Sequence, residues 1–281
     1  MIVSFHPLFE ADKNIICAGR EPDASDLAAI KAADAVILPQ GCRQPLYEMA
    51  RNHCEHVFPN YAARFRYPGK IGQIQLFGDT DTPHPETQTF DDTALFCRDY
   101  GASPEHLPFE LPFVFKLDWG GEGDTVYLIR SYDALRRILQ QTQSHEKSGQ
   151  QGFLIQEYIP NENKTLRVVK IGRQLISYWR VLNTQNGFLA NLSKGASIDF
   201  DSDPELQSRA IVAIKMLCIK SGINLAGFDV IFSAEKKEGP ALLLEINYFF
   251  GRKGLGGSDA YYEILQREIR LWLESLGLTQ K

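Results

Sequence analysis

The sequence predicts an α/β protein of three lobes: an α/β layer first, a small helix-and-hairpin lobe next, and an antiparallel sheet last. Three observations predict it. Short β-rich runs alternate with helical patterns as far as HVF at residues 56–58. The polar, proline-bearing segment DTDTPHPET then interrupts regular structure. Beyond it FLIQEYI and the β runs after it follow one another through tight turns. A chain of 281 residues is long enough for such lobes to bury cores of their own.

In chain order, IVSF, NIICA, AVILP and HVF read as strands, with helices over SDLAAIKAA and RQPLYEMARNH. A helix from about Lys70 to Phe77 precedes the connector, whose two prolines cannot continue it, so the first domain is expected over residues 1–88. The second, 89–157, takes the helix FDDTALFCRDY, the strand PFVFKLDW, the loop GGEGDT, the strand VYLIRS and a helix capped by Ser131. FLIQEYI, LRVVKIG and QLISYWRVL read as successive strands that begin the antiparallel sheet, the last two joined at IGRQ, and the third domain is expected over 158–281. In DPELQSRAIVAIKMLCIKSG, residues Leu206, Ala210, Ala213, Ile214, Leu217 and Cys218 share one helical face, with Gly222 as the stop. AGFDVIFS and PALLLEINYFF form strands around the tip AEKKEG. A last helix aligns Tyr261, Leu265, Ile269, Trp272 and Leu276 and ends at Gly277.

Composition narrows the function. A net charge of -5 argues against nucleic-acid partners, which are held by surplus Lys and Arg. The absence of a leader pattern and of a membrane-length apolar run points to a cytoplasmic protein with no membrane partner. Five widely spaced cysteines without a CxxC pair read as free thiols, and the spacing of Cys42, His53, Cys54 and His56 fits no usual zinc motif. The six histidines stand in no nucleophile-base pattern.

The chemistry concentrates in two strands. In ALLLEINYFF, Glu245 and Asn247 are two apart and share a face, and Asp229 of AGFDVIFS can join them from the neighbouring strand. Such hard oxygen ligands suit Mg2+, although the same residues also fit the solvent side of a half-exposed sheet. Lys116, set in the apolar strand FVFKLDW, leads into a loop with Gly120, Gly121 and Gly123. Backbone N–H groups of that loop and the lysine charge could meet phosphate, while Asp118, Glu122 and Asp124 would oppose it. A plain glycine turn beside a surface lysine is the alternative, and no GxxxxGK[ST] is present.

The order of the pieces carries more than any one of them. GKIGQIQLF, PHPET, FVFKLDWGGEGDT, QEYI, an LRV strand, NLSKG, AGFD and LLLEIN follow one another from Lys70 to Gly251. That succession resembles the ATP-grasp superfamily, and within it the RimK-like and glutathione-synthetase-like branch. The resemblance implies an ATP-grasp fold with an N-terminal pre-ATP-grasp domain, a lid subdomain and a C-terminal antiparallel-sheet subdomain. It also implies an ADP-forming carboxylate-amine or thiol ligase working through an acyl phosphate, with ATP and one or two Mg2+ ions, or Mn2+ in their place. Its substrates would be small-molecule or peptide carboxylates and amines, and a homodimer is a common arrangement in the family.

Position by position, the resemblance places Lys70 and Lys116 on ATP phosphates under a lid made of Gly120, Gly121 and Gly123. It gives the adenine hinge to Gln156, Glu157, Tyr158 and Ile159, and a nucleotide contact to Arg167. Asp229, Glu245 and Asn247 would hold the metal, with Asn191 beside metal and phosphate. Lys194 and Arg180 would serve the transferring phosphate and the acyl phosphate. Two departures stand out. Thr165 replaces a usual acid, and NYFFGRKGLGGS replaces a small-residue and proline turn, so Arg252 and Lys253 become candidates for binding a substrate carboxylate or phosphate, or form a solvated basic turn. A phosphotransferase or a non-catalytic ATP-binding regulator would use the same nucleotide site.

Overall fold

The computed structural model describes residues 1–101, 107–121, 123–182, 196–236 and 238–278. The chain opens with four parallel strands, β1 (Ile2–Ser4), β2 (Lys13–Asn14), β3 (Ala35–Ile37) and β4 (His56–Phe58), in the order β2-β1-β3-β4. Helices α1 (Ala24–Lys31) and α2 (Gln44–His53) connect them. Asp23 and Asp26 form a capping box that starts α1. The strand expected over NIICA is confined to its first residue and the lysine before it. The chain bends at Cys17–Arg20, where Ala18 and Gly19 take positive φ and leave the sheet.

A short helix, α3 (Ala62–Arg66), leads into α4 (Gly69–Asp79), which covers the helix expected from Lys70. The connector then yields a strand that the sequence reading did not include, β5 (Thr87–Phe90), which crosses the expected boundary at 88/89. It pairs antiparallel with β8 (Phe153–Glu157), which joins this sheet and not the last one as expected of FLIQEYI because it pairs with β5 and β6 (Phe113–Leu117); β7 (Val126–Ile129) completes the order β5-β8-β6-β7. Helices α5 (Thr93–Tyr100) and α6 (Tyr132–Glu146) cover one face of it. Phe90, Phe96, Phe113, Phe115, Phe153, Leu135 and Ile138 make the core between them. Ser131 caps α6 as expected, its hydroxyl accepting from Ala134 N–H at 3.2 Å.

The third sheet is antiparallel: β9 (Lys164–Ile171), β10 (Gln174–Val181), β11 (Ser197–Asp199), β12 (Leu225–Ile231) and β13 (Leu242–Asn247), in the order β11-β10-β9-β12-β13. Its strand β11 is another addition to the sequence reading. Helix α7 (Pro204–Ser221) packs Ala210, Ile214, Leu217 and Cys218 on one face and stops at Gly222, whose φ is +73°. On the opposite face Val169, Ile171 and Leu225 meet Tyr261, Leu265 and Ile269 of α8 (Ser258–Ser275), and that cluster includes Ile2, Ala35, Ile37 and Phe58 of the N-terminal sheet. Among the described residues no helix is long and apolar enough to cross a membrane.

Candidate functional site

Strand alternation sorts each sheet into two faces. In β6, Phe113, Phe115 and Leu117 enter the core of the second lobe, which turns Lys116 to the other side, level with Leu154 of β8. In β12, Phe228 and Val230 pack beneath α7, so Asp229 faces the side away from that helix. Asp229 lies opposite Arg167 on β9 and Glu245 on β13, while Gly227 lies opposite Asn247. A bulge between Asp229 and Val230 absorbs Leu244, keeping Ile246 in the α7 core with Glu245 and Asn247 on the polar face.

All four buried Lys and Arg residues among those described belong to this region: Lys70, Lys116, Arg167 and Arg180. Buried cations persist only where anions or dipoles compensate them. Arg167 and Arg180 share Asp229: Arg167 Nε and Arg180 Nη2 each donate to Oδ1 at 2.6 Å, and Arg167 Nη2 donates to Oδ2 at 3.2 Å. Burial alone would raise the Asp229 pKa, but the two guanidiniums outweigh it and hold the carboxyl below its ordinary range. Asn247 Nδ2 adds a donor to Oδ2 at 3.2 Å, which leaves its amide oxygen directed elsewhere.

The lysines are held differently. Lys70, in the first turn of α4, donates to the carbonyls of Trp119 and Gly120 at 3.4 and 3.3 Å, so it touches the base of the glycine loop. Burial lowers its pKa against the opposing charges of Glu245 and Asp118. Lys116 has no hydrogen bond or ion pair among the described residues, and burial lowers its pKa to about 8, partly offset by Glu245. Glu245 is also unpaired among them, and burial, then the Asp229 charge, raises its pKa. This region therefore holds a cation and an anion that share no direct contact among the described residues and interact through space.

The glycine loop turns at Gly120 (φ +84°) and Gly123 (φ +77°), whereas Gly121 has open space around it and no positive φ. Asp118, expected to oppose phosphate, instead accepts Ile71 N–H at 2.7 Å and stabilises the start of α4. Glu122, Asn191 and Lys194 lie outside the described residues. At the end of β8 the Gln156 side chain is buried and donates to Thr87 Oγ1 at 2.7 Å, while Glu157 is exposed and Tyr158 and Ile159 are half-buried.

A family model described as the RimK-like ATP-grasp domain matches residues 93–266, well over half of the sequence. The chain belongs to the RimK-like ATP-grasp family. Solved structures agree on the fold. A RimK domain ATP-grasp protein from Sphaerobacter thermophilus matches with a TM-score of 0.62 and 14% identity, over 95% of this chain and 98% of its own. An N5-carboxyaminoimidazole ribonucleotide synthetase, solved as its ADP complex, matches with a TM-score of 0.63 and 12% identity over 92% of this chain. This chain spans 65% of that enzyme's length. The VanG D-Ala:D-Ser ligase of Enterococcus faecalis matches with a TM-score of 0.60 and 16% identity, over 84% and 72% of the two chains. No curated protein matches the sequence.

Within this ATP-grasp frame several contacts escaped the sequence reading. Thr165, which stands where the family usually has an acid, pairs across the strands with Arg180 and accepts from its Nε and Nη2 at 3.2 and 3.0 Å. Gln73 of α4 clasps the backbone of Ile246, donating to its carbonyl at 3.0 Å and accepting its N–H at 2.7 Å, which fixes Lys70 relative to Glu245. Trp119 Nε1 is buried beside the loop without a hydrogen-bond partner among the described residues. Arg252 shares no hydrogen bond or ion pair with Asp229 among the described residues: it lies over the rings of Tyr261 and Tyr262 at 4.7 and 4.5 Å, while Lys253 is exposed in the short turn Lys253–Leu255.

Among the described residues no three His, Cys, Asp or Glu side chains converge as a metal cage. The donor set is Glu245, the Asn247 amide oxygen and Asp229, which fits Mg2+ because that ion completes its shell with water and phosphate oxygens. Of the two carboxylates, Glu245 is the one without an ion pair among the described residues. Asp229 would have to exchange an arginine contact to join it.

Proposed function

We propose that the protein is a Mg2+-dependent, ADP-forming ligase that joins a carboxylate to an amine through an acyl phosphate. The observation that carries this reading is the surplus of buried cations among the described residues of one region: Lys70, Lys116, Arg167 and Arg180 stand against Asp118, Asp229 and Glu245. Such a surplus is costly without an anionic ligand, and a nucleoside triphosphate with a substrate carboxylate would supply one. The ADP complex of a structural neighbour is consistent with that ligand.

In the proposed reaction a substrate carboxylate oxygen takes the γ-phosphoryl group, with ADP leaving. The amine nitrogen then attacks the acyl carbon, inorganic phosphate leaves, and the amine gives up a proton. A bound Mg2+ would offset phosphate charge during the transfer. Glu245 and the Asn247 amide oxygen would hold it. Lys70 and Lys116 neutralise phosphate oxygens, and the loop through Gly120 to Gly123 covers them and excludes water. The adenine is assigned to the end of β8, where the Gln156 amide is already engaged by Thr87, so Glu157, Tyr158 and Ile159 carry the recognition. Arg180, oriented by Thr165, and Arg167 stabilise the acyl phosphate and the oxyanion that follows. Arg252 binds a substrate carboxylate, since its guanidinium has no ion pair among the described residues.

The test is ADP and phosphate release with Mg-ATP across paired acids and amines, with product masses and Glu245→Ala as control. A dehydrated adduct whose formation needs both substrates establishes the ligase. ADP with a phosphorylated acceptor assigns a phosphotransferase, and ATP binding without turnover assigns a regulator.

A further inference from the structure

A concavity lies in the N-terminal lobe, lined by none of the residues assigned to ATP. In the N-terminal sheet the chain leaves β1 for β2 on one side and reaches β3 on the other, so the carboxyl ends of β1 and β3 flank a topological switch point, where open α/β sheets bind ligands. A cavity of about 270 Å3 opens there. Phe5 follows β1, Ile16 and Cys17 follow β2, Cys42 follows β3, and Leu46 of α2 helps to close it. Two arginines also reach its wall, but Arg20 is bound by Asp23 and Asp26, and Arg43 by Glu21, so neither presents an unmatched charge. The volume falls just below the range of pockets that enclose whole drug-sized ligands, about 300–1,000 Å3, and suits one side chain.

One wall of the cavity adjoins the segment that leaves β13. A Cβ at Gly41, on its wall, would lie 3.2 Å from the ring of Phe249, two residues beyond Asn247. Phe249 is 61% exposed and Ile16 75%, an apolar rim in which the Arg64 guanidinium lies 5.4 Å from the Phe249 ring. Gln40, next to Gly41, donates to the Tyr248 carbonyl at 3.1 Å and accepts from Tyr261 OH at 3.1 Å. Tyr261 and Tyr262 carry Arg252, and Tyr262 meets the ring of His6, the residue between Phe5 and Pro7. Burial, with Arg252 nearby, holds His6 neutral with a pKa of about 4, so no second charge competes beside the guanidinium.

We propose that this cavity is the specificity pocket for a small carboxylate-bearing substrate with an aliphatic or aryl side chain, the side chain lodging against Cys17, Cys42 and Leu46 while Arg252 takes the carboxylate. The proposal rests on the ligase reading only for the placing of that substrate in turnover; binding itself is independent of it. The shared chemistry is met by an apolar amino acid or by the corresponding acid without the amine.

Cys17 gives a readout that needs no catalysis. The full chain, with Mg2+ and a non-hydrolysable ATP analogue, is alkylated with iodoacetamide, and Cys17 is compared by peptide mass with the exposed Cys97 on α5. L-leucine, L-phenylalanine and 4-methylpentanoate are the probes, with glycine and L-glutamate as comparators. Saturable protection of Cys17 but not Cys97 is expected from the apolar probes, at concentrations at least about tenfold below those needed by the comparators. Protection by 4-methylpentanoate equal to that by leucine identifies an acid substrate, and protection by the amino acids alone identifies an amino acid. Ile16→Asp alters an exposed rim residue and should weaken protection at least about tenfold with the fold intact. Equal protection by glycine and glutamate, or none by any probe, overturns the pocket. If ADP still forms with other acid-amine pairs, the ligase reading survives that loss; protection without ADP from any pair sinks the ligase reading instead.

Discussion

The two faces of strand β12 obey opposite rules. Phe228 and Val230, no more than 1% exposed, pack beneath α7, and burying each such side chain contributes about 1.5–3 kcal/mol through area alone. Asp229, one residue along, is nearly as buried but is tolerated only through Arg167, Arg180 and Asn247. Such a cluster adds little net stability, because desolvation consumes most of the attraction. Gly227 shows how tightly the polar face is drawn: a Cβ there would stand 2.7 Å from Arg167 Nη1 and 3.0 Å from Phe250 Cβ. One face stores stability, and the other holds charge ready for a ligand.

Breaking the polar face at its unpaired anion should give the largest effect. Glu245→Ala is expected to lower turnover by about a thousandfold or more, the scale of losing a charge-stabilising group in phosphoryl transfer. Its denaturation midpoint at pH 7 should be unchanged or raised, since burial already disfavours the charged Glu245. Wild-type rates in the variant would sink the metal assignment.

Asp229→Asn and Phe228→Ala should each destabilise by about 3–5 kcal/mol, the first by stranding two buried arginines and the second by leaving a cavity. Acid separates them. Because the folded-state pKa of Asp229 lies below its ordinary 3.8, its contribution is complete above that value and fades as pH falls through the folded pKa. Urea titrations down to pH 3 should show the Asn variant converging on wild type while the Ala variant stays apart. Parallel curves would mean that Asp229 is not the counter-charge.

Lys116→Met should act in the reverse direction, stabilising the nucleotide-free protein by on the order of 1–3 kcal/mol at pH 7 while weakening ATP binding. A lysine titrating near pH 8 when folded and 10.5 when unfolded carries its full penalty below pH 8 and sheds it as pH rises towards 10.5. Wild-type stability should gain over that window, and the Met variant should lack the gain. The smallest contrast lies in the loop. Gly120→Ala, at φ +84° with Thr125 Cγ2 2.5 Å from the added Cβ, should cost about 1–2 kcal/mol, and Gly121→Ala within about 0.5 kcal/mol, by thermal melting.

Legibility in the sequence followed periodicity. The α7 stripe, its stop at Gly222, the strand lysine and the Glu245-Asn247 alternation were readable because each repeats at a fixed helical or strand spacing. TQTF escaped because β5 is a half-polar edge strand whose partner β8 lies more than sixty residues away. Helix α3 is too short to show a period. At the site, the residue types were legible but their partners were not. That Asp229 would meet two arginines depends on the register of β12 against β9 and β10, and that Asp118 would serve α4 depends on a loop reaching another lobe.

Helix α8 closes the first sheet from the far end of the chain. Ile2, Ala35, Ile37 and Phe58 share a core with Tyr261, Leu265 and Ile269, so the opening segment cannot finish its interior alone. During synthesis roughly 200 residues separate Phe58 from Tyr261, an interval of about 10–40 s at ribosomal speed. Through that interval an oily sheet face lacks the helix that covers it, which couples the quality of the chain's beginning to the arrival of its end.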